Sequence, residues 1–150
     1  MLETRRDDPA ASLPIPGWFT HGAKILDLVA AHRPMTWVEL GTWQGASAIP
    51  VARLIRQWGG TVTCIDTWSG ELRDPGTPTT PWMLVGCARE LQAADVAGSI
   101  RLIPTTTRDA AQWWTGSIDG LYVDADHSYD ACLSDLLAWT PFLRPGGLLV

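Results

Sequence analysis

Short apolar segments alternate with segments of helical spacing along most of the chain, and this alternation limits its fold more than any other feature. The strand-like segments are Thr36–Leu40, Thr61–Asp66, Ile100–Ile103, Leu121–Asp124 and Leu148–Val150. Between them, apolar residues recur three and four apart, as at Val51, Leu54, Ile55 and Trp58. Strands separated by helices must cross over rather than form hairpins. Right-handed crossovers build a parallel sheet covered on both faces. The expected fold class is therefore α/β, a Rossmann-like doubly wound parallel sheet.

A length of 150 residues suits one domain. Residues 1–17 are polar and contain Pro9, Pro14 and Pro16, so they read as a flexible N-terminal arm ahead of a domain spanning 18–150. The spacing predicts a helix over roughly 20–32, with Ile25, Leu28 and Val29 on one face. A second helix is expected from a Ser47 N-cap, with Pro50 tolerated in the first turn, to the stop at Gly59-Gly60. Further helices are expected over 81–96 (Leu84, Ala88 and Leu91 inward), 107–114, and 129–142 (Leu133, Leu136, Leu137 and Thr140 on one side). The Ser69–Pro81 stretch has no periodicity and reads as a functional loop. Arg144-Pro-Gly-Gly147 reads as a turn into the last strand.

The net charge of −5 and the lack of a Lys/Arg block argue against a nucleic-acid partner. Nine tryptophans are expected to lie mostly in the core. Cys64, Cys87 and Cys132 form no C-x-x-C pair and read as free thiols in a reducing compartment. The N-terminus has no signal-type apolar region and no run is long enough to span a membrane. A cytoplasmic location with no membrane partner is the expectation.

Three strand ends carry chemistry. Residues 38–45 read V-E-L-G-T-W-Q-G, a strand stopping on a Gly turn with an acid ahead of it. Free N–H groups at such a turn can meet a carboxylate, and Glu39 can accept from an ammonium group. A ligand with both charges is an amino acid or the methionyl tail of S-adenosylmethionine; the bland alternative is a plain turn with an incidental Glu. Asp66 ends the next strand, 27 residues after Glu39. It suits ribose hydroxyls, or alternatively an Asx-turn. Trp68 suits adenine packing or the core equally. Asp124, Asp126 and His127 follow the fourth strand and suit metal ligation or proton abstraction. Helix capping by Asp126 or Ser128 is the competing reading. The glycine pattern of dinucleotide folds is incomplete, which argues against an oxidoreductase.

Together V-E-L-G-T-W-Q-G, C-I-D-T-W-S-G, L-Y-V-D-A-D-H-S-Y-D and L-R-P-G-G-L-L-V resemble the class I S-adenosylmethionine-dependent methyltransferases. The nearer likeness is to the macrocin O-methyltransferase and cephalosporin-hydroxylase-like branch, over roughly 35–150. The resemblance implies strand order 3-2-1-4-5, lacking the family's strands 6 and 7. It implies S-adenosylmethionine as cofactor and O-methylation of a small hydroxylated acceptor, a sugar or other metabolite. Glu39, Gly41, Thr42 and Gly45 would line the methionine moiety and Asp66, with Thr67, the ribose. Asp109 would approach the adenine. Asp124 would join the cofactor set and match a magnesium ligand, with Asp126 or His127 as general base and His127 favoured.

Relatives continue beyond the fifth strand into an acidic pair that completes the metal site, whereas this chain stops at Val150. One carboxylate is a poor magnesium site. A fragment, a truncated product or a chain borrowing an edge from a partner is expected, with association of copies through the last strand. The alternative function is a truncated, inactive cofactor-binding or assembly module.

Overall fold

The computed structural model describes residues 19–69 and 81–150. The expected arm at 1–17 and nearly all of the 69–81 loop lie outside the described residues. Five parallel strands form one sheet in the order β3-β2-β1-β4-β5. They are β1 (Thr36–Leu40), β2 (Thr61–Asp66), β3 (Ile100–Pro104), β4 (Ile118–Val123) and β5 (Leu143–Leu149). The helices are α1 (Gly22–His32), α2 (Ala48–Ile55), α3 (Pro81–Ala93), α4 (Thr107–Trp113) and α5 (Tyr129–Trp139). Fold class and strand order agree with the sequence expectation.

Strand alternation divides the core in two. Trp37 joins Val62 and Cys64 with Leu26 and Val29 of α1, Ile49 and Ile55 of α2, and Cys87 and Leu91 of α3. Val38 and Leu40, one residue out of phase, join Ile65, Ile118 and Leu121 with Ala110 of α4 and Trp139 of α5. Three helices thus cover one face of the sheet and two cover the other. β1, the central strand, is buried on both faces from Trp37 to Leu40, with Glu39 as the polar interruption of its apolar run.

Several local expectations are revised. In α3, Met83, Cys87 and Leu91 point inward, and Leu84 and Ala88 flank them half-buried. In α5 the inward residues are Asp135 and Trp139, while Leu133 and Leu137 are 40% and 68% exposed. The polar contacts of Thr107 explain the rotation. Its hydroxyl donates to Asp135 Oδ1 at 2.5 Å, and its carbonyl accepts from Trp139 Nε1 at 3.0 Å. Of the tryptophans whose side chains are described, Trp37, Trp68 and Trp139 are buried, but Trp43 and Trp113 are exposed. Cys64 and Cys87 are buried and Cys132 is half-buried, all as free thiols. Among the described residues no helix is long and apolar enough to cross a membrane.

β4 starts three residues before the expected Leu121. Neither Asp119 nor Gly120 looks like a strand residue, yet each has a reason to be there. A Cβ on Gly120 would sit 2.3 Å from Trp37 Cε3, so only glycine lets the indole lie across β4. Asp119 Oδ2 accepts the N–H groups of Met35 and Thr36 at 2.8 and 2.9 Å, and Oδ1 pairs with Arg144 Nε at 2.7 Å. Arg144-Pro-Gly-Gly147 is therefore not a turn before the strand. It is an irregularity within β5, where Ile118 faces Leu143 but Gly120 already faces Leu148. Asp119→Ala strips two N–H groups and an arginine of their acceptor. It should lower unfolding free energy by about 2 kcal/mol. Urea unfolding checks this, and an unchanged midpoint would mean that the triple contact contributes nothing.

Candidate functional site

The carboxyl ends of β1, β2 and β4 meet at one sheet edge. Gly41, at φ +83°, turns the chain after β1. A Cβ there would lie 2.3 Å from the Asp124 carbonyl oxygen and 2.4 Å from Ala125 Cα. The turn is therefore pressed against the chain leaving β4. Gly41 N–H donates to Ile65 O at 2.9 Å and Asp124 N–H to Leu40 O at 2.8 Å, which locks the three strand ends together. A Cβ on Gly45 would meet only the Ile49 and Leu91 side chains at 3.5 Å, so close approach does not require glycine there. Its φ of +88° is what favours glycine there.

Asp66 fastens this turn. Its Oδ2 accepts the N–H groups of Thr42 and Trp43 at 2.9 and 2.8 Å, and Oδ1 accepts that of Trp68 at 2.7 Å. The Trp68 contact is the Asx-turn weighed from sequence; the other two tie β1 to β2. Three donors occupy most of the roughly four acceptor positions of a carboxylate. Trp43 and Trp68 both adopt left-handed backbone, at φ 47° and 48°. Such a conformation is an outlier for bulky side chains and gathers at functional sites. Trp68 is core rather than surface, and its Nε1 donates to Trp43 O at 2.6 Å. Thr67 is exposed, with its hydroxyl 2.6 Å from Ser69 Oγ.

Glu39 is fully buried. Its Oε1 accepts from Ser47 Oγ at 2.9 Å. Its Oε2, and the hydroxyl oxygen of Thr42, are buried without a hydrogen-bond partner among the described residues. Burial pushes the Glu39 carboxyl up to about 8, against the opposing pull of the Ser47 hydroxyl and of the neighbouring Thr42 hydroxyl. Ser47 holds the N-cap position of α2 but makes no side-chain cap bond. Sequence reasoning read it only as a cap and missed its place at the site. The signal was its position eight residues after Glu39, on the first turn of a helix that returns over the strand.

Beyond β4, Asp124 Oδ1 lies 3.1 Å from His127 Nε2, and the Tyr122 hydroxyl donates to Oδ2 at 3.4 Å. Burial, with the nearby Asp124 carboxylate, pushes the Tyr122 phenol well up. Asp126 Oδ1 accepts from Ser128 N–H at 2.8 Å. Ser128 is the N-cap of α5, so of the two capping candidates the serine takes that role. Asp109 is exposed in the first turn of α4, where its N–H donates to the Thr106 hydroxyl at 3.0 Å. That turn adjoins β2 through a 3.0 Å bond from Thr105 N–H to Asp66 O.

The described residues do not fit a magnesium ion. Asp124 offers one carboxylate, and both its oxygens already have protein partners. No group of three or more His, Cys, Asp or Glu side chains able to hold a metal occurs among the described residues. Magnesium needs a near-octahedral oxygen shell.

A family model described as "Methyltransferase domain" matches residues 38–150. Solved structures share the fold. The chain resembles cofactor-bound Rv0187 from MTB at a TM-score of 0.72 and 21% identity, covering 95% of this chain and 59% of that one. It resembles the O-methyltransferase TomG from Streptomyces achromogenes, solved in complex with SAM, at 0.69 and 20%, covering 86% and 53%. An O-methyltransferase from Bacillus cereus, solved in complex with SAH, matches at 0.70 and 18%, covering 89% and 56%. The chain thus spans a little over half the length of these structures.

Proposed function

Because this chain belongs to the methyltransferase-domain family, we propose that its three-strand edge binds S-adenosylmethionine and passes the methyl group to a hydroxyl oxygen of a small molecule. The observation that carries this reading is Glu39. A buried carboxyl with an unpartnered oxygen, beside a Gly turn that closes on β4, suits the ammonium end of a methionyl tail.

Gly41, Thr42 and Gly45 line that tail with Glu39. Asp66 and Thr67 stand toward the ribose, and Asp109 toward the adenine on the β3 side. Asp124 stands between the cofactor and His127. The bound cofactor supplies a methyl group already activated by its sulfonium. What remains for the protein is alignment and proton removal. Alignment can contribute up to ~7–11 kcal/mol in well-oriented systems. With Nε2–H held by Asp124, the Nδ1 of His127 is left as the proton acceptor for a substrate hydroxyl. Asp126 is the weaker candidate because its carboxylate accepts from Ser128 N–H. The acceptor is a sugar or other hydroxylated metabolite. Among the described residues β5 pairs with β4, and association of copies through the last strand belongs to this proposal.

His127→Ala should leave cofactor affinity unchanged and reduce turnover by ~10²-fold or more. Asp66→Ala should weaken cofactor binding at least ~tenfold, since a hydrogen bond to a charged group contributes about 1.5–3 kcal/mol. Calorimetry and single-turnover kinetics separate the two effects. Unchanged affinity for Asp66→Ala removes the ribose role. Cofactor binding without transfer to any hydroxylated acceptor points to the inactive binding module instead.

A further inference from the structure

We infer that Glu39 keeps its proton while the site is free and releases it to solvent when a ligand's ammonium group arrives, so that cofactor capture and proton release are one event. This rests on the S-adenosylmethionine reading above and adds a regulatory property to the same site.

The geometry carries the inference. Glu39 is 0% exposed, so an ionised carboxylate there would have to be held by donors or a cation. The Ser47 hydroxyl donates to Oε1 and the Thr42 hydroxyl stands beside it as a second neutral donor, while Oε2 makes no hydrogen bond of good geometry among the described residues. The groups that face it are acidic or neutral on every side. Asp66 and Cys64 face it from β2, Asp124 and Tyr122 from β4, Cys87 from α3, and the Thr42 and Ser47 hydroxyls from the turn and α2. None of these is a cation. A carboxyl so placed resists ionisation, in agreement with its upward shift to about 8.

Two neutral hydroxyls are thus all that donate toward the carboxyl, and its Oε2 is left without a hydrogen bond of good geometry among the described residues. A bound ammonium group supplies both missing things, N–H donors for the two oxygens and the positive charge that makes ionisation favourable. The balance is simple. The Glu39 O–H bond breaks and its proton goes to the buffer. The ligand keeps all three ammonium hydrogens and faces a carboxylate.

The test is calorimetric titration of S-adenosylhomocysteine into the full chain between pH 6 and 7, in buffers of different ionisation enthalpy. In this range the ligand's α-amino group is protonated, its usual pKa being about 7.7–8.0. Close to one proton should be released per ligand bound. Affinity should rise nearly tenfold per pH unit and level off toward pH 8. Glu39→Gln should bind with little proton release and a flat pH profile. Should that variant fail to fold, Ser47→Ala removes the donor on Oε1 and should move the pH profile to higher pH. Binding without proton release, or equal release by Glu39→Gln, overturns the inference and leaves the cofactor reading standing. No binding at any pH overturns both.

Discussion

Gly41→Ala should destabilise the protein by ~2–6 kcal/mol and abolish cofactor binding. Two effects add. The residue sits at φ +83°, where an L side chain is strained by roughly 1–3 kcal/mol. The new methyl would also fall 2.3 Å from the Asp124 carbonyl oxygen and 2.6 Å from Ala125 N. Those are backbone atoms, which cannot rotate away as a side chain can, and overpacking of this kind costs about 1–3 kcal/mol. Relief requires the β1 turn and the β4 exit to separate, which takes apart the edge that holds Glu39 against Asp124. Gly45→Ala is the internal control. Its φ is similar, but its Cβ would meet only flexible side chains at 3.5 Å. It should lose only the conformational part, roughly 1–3 kcal/mol. Urea unfolding of both variants decides the matter: equal losses would show that φ alone matters and that the β1–β4 approach is not tight.

Glu39→Gln should change the pH dependence of stability more than any other single replacement. The folded carboxyl is pushed up to about 8 from an ordinary value of 4.5. Below about pH 4.5 both folded and unfolded chains hold the proton. Between there and about pH 8 the folded chain holds a proton that the unfolded chain has lost. Stability from this group is therefore fully present at low pH and falls as pH rises, by up to ~1.4 kcal/mol per unit. Across the window the loss is on the order of a few kcal/mol. Glutamine keeps the shape and can still accept from Ser47, but it has no proton to lose. Near pH 8 the variant should be the more stable protein, and near pH 5 the two should differ little. Unfolding midpoints at several pH values check this; parallel curves for the two proteins would mean that Glu39 is ionised in the free fold. The same residue then connects function to stability. A carboxyl that weakens the empty protein at neutral pH suits a site that is completed by a cationic ligand.

The strands were legible because their signals are local and repeated, and the sheet order followed from the family resemblance that those segments carry. The ends of β1, β2 and β4 are marked by an acid or a glycine where the apolar run stops. Glu39, Asp66 and Asp124 could be picked out as edge residues for the same reason. What the sequence hid were polar contacts between segments far apart in the chain. Thr107 rotates α5 through Asp135 and Trp139, 28 and 32 residues away, so the leucines that looked inward face out. Asp119 reaches across 84 residues to Met35 and makes a strand out of residues with poor strand propensity. Asp66 could be seen as a candidate ligand group or as an Asx-turn, but not as the fastener of the Thr42–Trp43 backbone. That depends on two tryptophans taking a backbone shape their side chains disfavour. Ser47 shows the same limit: its cap position was readable, but its hydroxyl's partner was not.

The arrangement of thiols has a practical consequence for following this edge in solution. Cys64 pairs in register with Glu39 on the neighbouring strand, and it is fully buried with its thiol pushed well above its usual range. Cys87, pushed up to about 12, lies on the helix over the same face. Neither is a nucleophile while the edge is closed, because alkylation requires a reachable thiolate. Cys132 on α5 is half-buried, and it alone of the three reports from the other side of the molecule. The chain therefore carries a built-in clock: the rate at which Cys64 is alkylated measures how often the floor beneath Glu39 comes apart.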